Sequence, residues 1–182
     1  MTSAYTAPLI VRPDKSSVLL KPVPLSGPES KATYNEDWLQ TLLYQHPKVL
    51  PVRELEDAFE GLVPVCRELG LPPAGDADVV YVSPSGRPVI VEAKLWRNPE
   101  ARRKVVSQVL DYAKELCKLD FEEFDKAVRV ARQRMDGEIP PKGLIEIMRA
   151  TQPDLDEAGF RDSLVRNLRR GEILLLIVGD GI

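Results

Sequence analysis

The sequence predicts an α/β protein, with a mixed central sheet flanked by helices and a helical insertion before the last strand. Three observations predict it. Helix-period and strand-period segments follow one another as helix, three strands, helix, further helices, strand. Two apolar runs flank Ser85-Gly86, a hairpin signal between the second and third strands. The final run EILLLIVG, residues 172–179, is apolar on both faces, as expected of a buried parallel strand.

Residues 1–30 are Pro-rich and read as an extended arm, in which the runs LIV (9–11) and VLL (18–20) pair as a small hairpin. Thr33, with Glu36 three residues on, makes a capping box for a first helix whose apolar stripe is Leu39, Leu42 and Leu43. Pro47 limits that helix. The stretch 61–69 reads as a first strand, 71–77 as loop, 78–83 as a second strand and 88–96 as a third. A long helix is expected from about Pro99 to Leu119, and another from about Phe121 to Arg134. Residues 136–143 break the pattern, and helices follow at about 143–150 and 154–169. The domain division is therefore an arm over 1–30 and an α/β domain over 31–182, with its insertion at about 121–170. Because the last residues directly follow a buried strand, a longer parent with a further C-terminal domain is expected.

Composition narrows the function classes. A chain of 182 residues, 43% apolar and 29% charged, can bury a core without disulfides. Cys66 and Cys117 stand alone, with no CxxC pair and no Cys/His cluster, which argues against structural zinc and for two buried reduced thiols. No run is long and apolar enough for a membrane span, and the N-terminus lacks the pattern of a signal peptide, so a cytoplasmic protein without a membrane partner is expected. Net charge is −3, yet Lys94, Arg97, Arg102, Arg103 and Lys104 cluster within eleven residues. A second cluster, Arg161, Arg166, Arg169 and Arg170, reads as a solvated helix face.

The chemistry is concentrated on the third strand. Side chains alternate there, so Val89, Val91, Ala93 and Leu95 face one way and Ile90, Glu92, Lys94 and Trp96 the other. A carboxylate and an ammonium at the end of an apolar strand are costly to bury unless they pair or bind something. A hairpin closing at Ser85-Gly86 sets Asp78 roughly opposite Glu92. Two acids that close repel each other, and a divalent cation removes that repulsion. Oxygen ligands without His or Cys favour Mg²⁺, with Mn²⁺ as substitute.

The pattern Asp78, thirteen residues, then Glu92-Ala93-Lys94 resembles the signature of the PD-(D/E)XK nucleases, with Ala77 where the Pro of that signature would stand. Gln108 and Tyr112, four apart on the next helix, resemble the QxxxY motif of the RecB-like and lambda-exonuclease-like branch. Glu36 is similar to the acid that many members add from their first helix. The resemblance spans roughly residues 34–116 and the last strand. It implies a restriction-endonuclease-like αβββαβ core and a Mg²⁺-dependent deoxyribonuclease cutting DNA, with endonuclease action the expected mode, in repair, recombination or defence. It implies metal ligands Asp78, Glu92, the Ala93 backbone carbonyl and Glu36, and a catalytic set of Asp78, Glu92, Lys94, Gln108 and Tyr112. DNA is the implied partner, and a homodimer is compatible with it.

Plainer readings stand beside these. Glu36 serves equally as the capping-box acid of Thr33, and Gln108 and Tyr112 as boundary residues of an amphipathic helix. Arg97, Arg102 and Arg103 are candidate phosphate contacts or exposed charges paired with Glu100 and its neighbours. His46 reads as a helix-end cation, and Trp38 and Trp96 as core or cover residues. Two alternatives follow: a catalytically silent nuclease-like domain that binds nucleic acid or protein, and a metal-free interaction domain.

Overall fold

The structure, a computed structural model, describes residues 9–20, 34–95, 101–137 and 139–180, apart from the side chains at 53, 101–103 and 180. Strands β1 (Leu9–Val11) and β2 (Ser17–Leu19) form the antiparallel hairpin expected in the arm. Helix α1 (Glu36–Gln45) follows, then a short irregular stretch with α2 (Val52–Leu55) between two 3-10 turns. Strands β3 (Val63–Leu71), β4 (Gly75–Val82) and β5 (Pro88–Leu95) come next. Helices α3 (Ala101–Leu116), α4 (Phe121–Asp136), α5 (Leu144–Thr151) and α6 (Glu157–Arg170) then lead to β6 (Leu174–Asp180).

The sheet runs β3-β4-β5-β6, antiparallel through the first three strands, with β6 parallel to β5. It is mixed, and helices cover both faces. On one face Leu39 and Leu43 of α1, with Leu50 and Phe59, pack on Val79, Tyr81, Val89, Val91 and Ala93. On the other, Val109, Tyr112 and Leu116 of α3 and residues of α4, α5 and α6 pack on Val80, Val82 and Ile90. Covering both faces explains why β5 reads as a continuous apolar run up to Ala93, with the one exception of Glu92. Each fully buried Val, Leu or Ile contributes about 1.5–3 kcal/mol, so this two-sided core sets the position of everything on the strand ends.

The local reasons are visible in sequence. Asp120 and Glu123 form a reciprocal capping box at the start of α4, and Gly137 ends the helix in the left-handed conformation. Asp156 caps α6. The Asn167 amide, buried in α6, donates to the carbonyls of Ser85 and Gly86. That pair of bonds pins α6 to the β4–β5 turn. Gly86, at φ +73°, leaves a would-be Cβ only 2.8 Å from the Leu164 backbone nitrogen, so this close approach requires glycine.

Three expectations change. First, α1 is capped by Asn35, whose side chain accepts from the Trp38 N–H at 2.8 Å; Thr33 itself lies outside the described residues. Asn is a stronger N-cap than Thr, and capping from Asn35 leaves the Glu36 carboxylate for other partners. Second, β3 and β4 extend through most of the expected loop, leaving a turn at Pro72–Ala74, because Leu71 pairs with Gly75 and Gly70 with Asp76. Asp78 therefore lies inside β4, not at its start. Third, β6 is parallel to β5 but stands at the sheet edge and is half-buried, since no described strand covers its far side.

Both cysteines are free thiols; Cys66 is buried, which pushes its pKa up to about 12, and Cys117 is half-buried. No helix among the described residues is long and apolar enough to cross a membrane.

Candidate functional site

The β4–β5 hairpin closes through two backbone bonds, Ser83 N–H to the Arg87 carbonyl and Gly86 N–H to the Ser83 carbonyl, both 2.9 Å. That turn sets the register, Val79 with Val91 and Val80 with Ile90. The next position in that register sets Asp78 against Glu92. Both then share the face of Val80 and Ile90, toward α3 and α4. The sequence expectation for this pair is met in position.

Glu92 is 0% exposed, and neither carboxylate oxygen has a hydrogen-bond donor. The Lys94 Nζ stands 3.0 Å from Glu92 Oε1, an ion-pair distance, but off the direction a hydrogen bond needs. The same ammonium is 3.6 Å from Glu36 Oε2. Glu36 Oε1 accepts the Leu95 N–H at 3.2 Å, and Asp78 Oδ2 accepts the Ala93 N–H at 2.7 Å. Three carboxylates from α1, β4 and β5 thus gather around one ammonium at one end of the sheet.

The electrostatics follow from burial. Loss of water lifts the Glu92 carboxyl to about 7, and the charge of Asp78 adds to this while Lys94 opposes it. Burial also raises Asp78, against the Ala93 N–H and Lys94, which pull it down. For Lys94, burial alone would lower the pKa. The contact with Glu92 and the charges of Asp78 and Glu36 outweigh that and hold the ammonium above its ordinary value. A buried carboxylate with no donor is rare in folded proteins, because desolvation costs more than the missing bonds return. Such residues concentrate where a ligand completes the site.

Gln108 and Tyr112 both come near this end. Tyr112 is 1% exposed and part of the α3 core stripe with Val105, Val109 and Leu116. Its hydroxyl donates to the Asp76 carbonyl at 2.7 Å and receives the Gln108 amide. Burial raises its pKa to about 12, against the Gln108 bond. Tyr112 thus ties α3 to β4 two residues from Asp78. It acts by positioning, whereas Gln108 is half-buried and lines an open cleft.

The donor set fits a hard divalent cation: carboxylate oxygens, no sulfur, no imidazole, and two unmet oxygens on Glu92. Glu92 and Asp78 would hold it, with Glu36 the nearest further acid. Among the described residues, however, no group of three or more His, Cys, Asp or Glu side chains is close enough to hold a metal as the side chains stand. The Lys94 contacts with Glu92 and Glu36, and the Ala93 N–H on Asp78, are what engage those acids at present.

Two residues that the sequence does not single out belong here. Arg67 on β3 bonds Thr41 Oγ1 at 2.7 Å, Gln40 Oε1 at 3.0 Å and the Asp37 carboxylate, and so fixes the turn of α1 that carries Glu36. Glu68 lies opposite Asp78 in the β3–β4 register, between Arg67–Val79 and Leu69–Ala77, and its charge acts on Asp78. It has φ +52°, a strained conformation for a non-glycine residue. The strand alternation around both is ordinary, and only the β3–β4 register reveals them.

Of the expected phosphate contacts, Arg97 lies outside the described residues, as does Trp96. Arg102 and Arg103 fall in the first turn of α3, where only their backbone is described. The Asp76 carboxylate, two residues before Asp78, stands 3.8 Å from the Arg134 guanidinium. His46 is the C-cap residue of α1, and Trp38 is half-buried against Tyr34. In comparisons with known proteins, no family model, no curated protein and no solved structure matches this chain.

Proposed function

We propose that this chain is a metal-dependent nuclease that hydrolyses DNA phosphodiester bonds, on a restriction-endonuclease-like fold. The single observation that carries the reading is the Glu92 carboxylate: fully buried beside Asp78, with the Lys94 ammonium, 3.0 Å away, as its one close side-chain cation among the described residues. Burying two acids around a single ammonium is costly, and a divalent cation would offset that cost. The QxxxY pair on α3 and the order of elements support the same reading.

Glu92, Asp78 and Glu36 would bind Mg²⁺ or Mn²⁺, which supplies neutralisation of the charge that builds on phosphorus oxygens. Lys94 holds the attacking water by hydrogen bonding and stabilises its developing negative charge. The water oxygen bonds to phosphorus and gives its proton to solvent, the phosphorus bond to the leaving sugar oxygen breaks, and that oxygen takes a proton from solvent to leave as a hydroxyl. Tyr112 fixes α3 against β4, and Gln108 meets the substrate strand from α3. The resemblance supports a role in repair, recombination or defence.

The test is a cleavage assay with Mg²⁺ and Mn²⁺ on single-stranded, nicked and branched DNA. Cutting that Glu92→Gln abolishes and Lys94→Met lowers by about 100-fold or more supports the reading; a wild-type protein that cuts none of these substrates with either metal refutes catalysis. One observation favours a second reading, a silent binding module: the acids already engage Lys94 and the Ala93 N–H, and no ready-made metal group is present among the described residues. DNA binding without metal uptake would select it.

A further inference from the structure

The end of the sheet that bears the acids is open on both flanks, and the described residues of the two flanks differ in charge. On the α1 side a cleft of 450 Å³ is lined by Asn35, Glu36, Asp37 and Leu95. On the α3 side a cleft of 380 Å³ is lined by Ala74, Lys104, Ser107, Gln108 and Asp111. Among the described residues, the first presents carboxylates. The second presents an ammonium, a hydroxyl and a carboxamide, the groups that most often contact phosphate oxygens. Lys104 is exposed, stands in the first turn of α3 and forms no ion pair with a described residue. The positive end of the helix dipole adds to its field.

The cleft is joined to the acids through two side chains. Gln108 lines it and donates to the Tyr112 hydroxyl, and Tyr112 in turn responds to the charges of Glu92 and Asp78. We infer that the α3 cleft built on Lys104, Ser107 and Gln108 is a phosphate subsite, through which a nucleic-acid strand reaches the acids from the α3 side. This rests on the nuclease reading and gives it a direction. Asp111, also exposed, lines the same cleft and limits how tightly a phosphate is held there.

Because the phosphodiester backbone is common to DNA and RNA, both serve as probes. The experiment is fluorescence anisotropy of the full chain with labelled single-stranded DNA and RNA in EDTA, which keeps cleavage from competing, at about 50 and about 200 mM salt. One lost phosphate contact reduces the fall in affinity between these salts by about threefold. Lys104→Ala is expected to weaken binding and flatten the salt response by that factor, Lys104→Glu to weaken it further, and Asp111→Lys to tighten it, equally for both nucleic acids. All three changes are on exposed positions of a helix held by its other face.

Binding by the wild type with unchanged affinity and salt response in all three variants overturns the subsite. An effect confined to one nucleic acid also overturns it, since it would mark a sugar contact. Calorimetry with Mn²⁺ separates this failure from that of the parent reading. Mn²⁺ uptake that Asp78→Ala removes, without nucleic-acid binding, sinks the subsite alone. Absence of both sinks the nuclease reading and the subsite with it.

Discussion

Replacing Glu92 by Gln should make the metal-free protein more stable at alkaline pH, although it removes the central acid of the candidate site. In the folded chain the carboxyl is buried without a donor, and its pKa is lifted from 4.5 to about 7. The folded state therefore holds the proton more tightly than the unfolded state. Stability is greatest below the unfolded value, falls as pH rises from about 4.5, and reaches its full deficit above about 7. A tenfold difference in proton affinity is worth about 1.4 kcal/mol, so the ionised carboxylate costs roughly 3 kcal/mol. In a domain of this size that is a difference in Tm on the order of 10 °C. The Gln side chain is neutral throughout, so the variant lacks this slope. Urea unfolding in EDTA at about pH 5 and about pH 8.5 measures it. Wild type should lose about 3 kcal/mol relative to the variant between the two. Adding Mn²⁺ at the higher pH should restore wild type, by an amount that grows with metal concentration, and leave the variant unmoved. Parallel pH profiles for the two proteins, or equal stabilisation of both by Mn²⁺, would refute the burial argument and the metal argument respectively.

Other perturbations separate positioning from chemistry. Asp78→Ala should remove calorimetric Mn²⁺ binding and cleavage together, while Lys94→Met should keep Mn²⁺ binding and lower cleavage by about 100-fold or more, the scale of a lost electrostatic contact to the reacting group. Tyr112→Phe leaves the Asp76 carbonyl without its donor and should cost about 1–2 kcal/mol in urea unfolding, an effect that a bond of no structural consequence would not produce. Gly86→Ala places a methyl 2.8 Å from the Leu164 nitrogen at φ +73°, and should cost more than about 1 kcal/mol; an unchanged urea midpoint would show that α6 is not held closely against the turn.

Much of the arrangement is legible in the sequence because it is local. The Ser85-Gly86 turn sets the β4–β5 register, and with it the juxtaposition of Asp78 and Glu92, from residues that are close in the chain. Strand alternation divides Val91 and Ala93 from Ile90 and Glu92, and the core follows that division. The four-residue spacing of Gln108 and Tyr112 likewise puts them near one another. What is not legible depends on contacts between distant segments. Arg67 finds α1 and Glu68 finds Asp78 only through the β3–β4 register, which carries an irregularity between Pro64 and Cys66 that no turn residue announces. The cap of α1 falls two residues later than the capping box suggests because Asn is a stronger cap than Thr, and the contacts of Glu36 with Leu95 and Lys94 accompany that start. The half-burial of β6 is invisible to composition, since an edge and a central strand can carry the same apolar run.

The parallel pairing of β5 with β6 bears on the order in which the molecule forms. The acids on β4 and β5 meet across a tight turn, an event of microseconds once the chain collapses. The pairing of Val89 with Leu174 must wait until the long intervening segment has folded back, a closure of high contact order. The carboxylates are therefore brought together early, while their end of the sheet is still open to water, and their desolvation is completed late. A nascent chain lacking its final strand would already hold Asp78 against Glu92, but in a wet and weakly perturbed form.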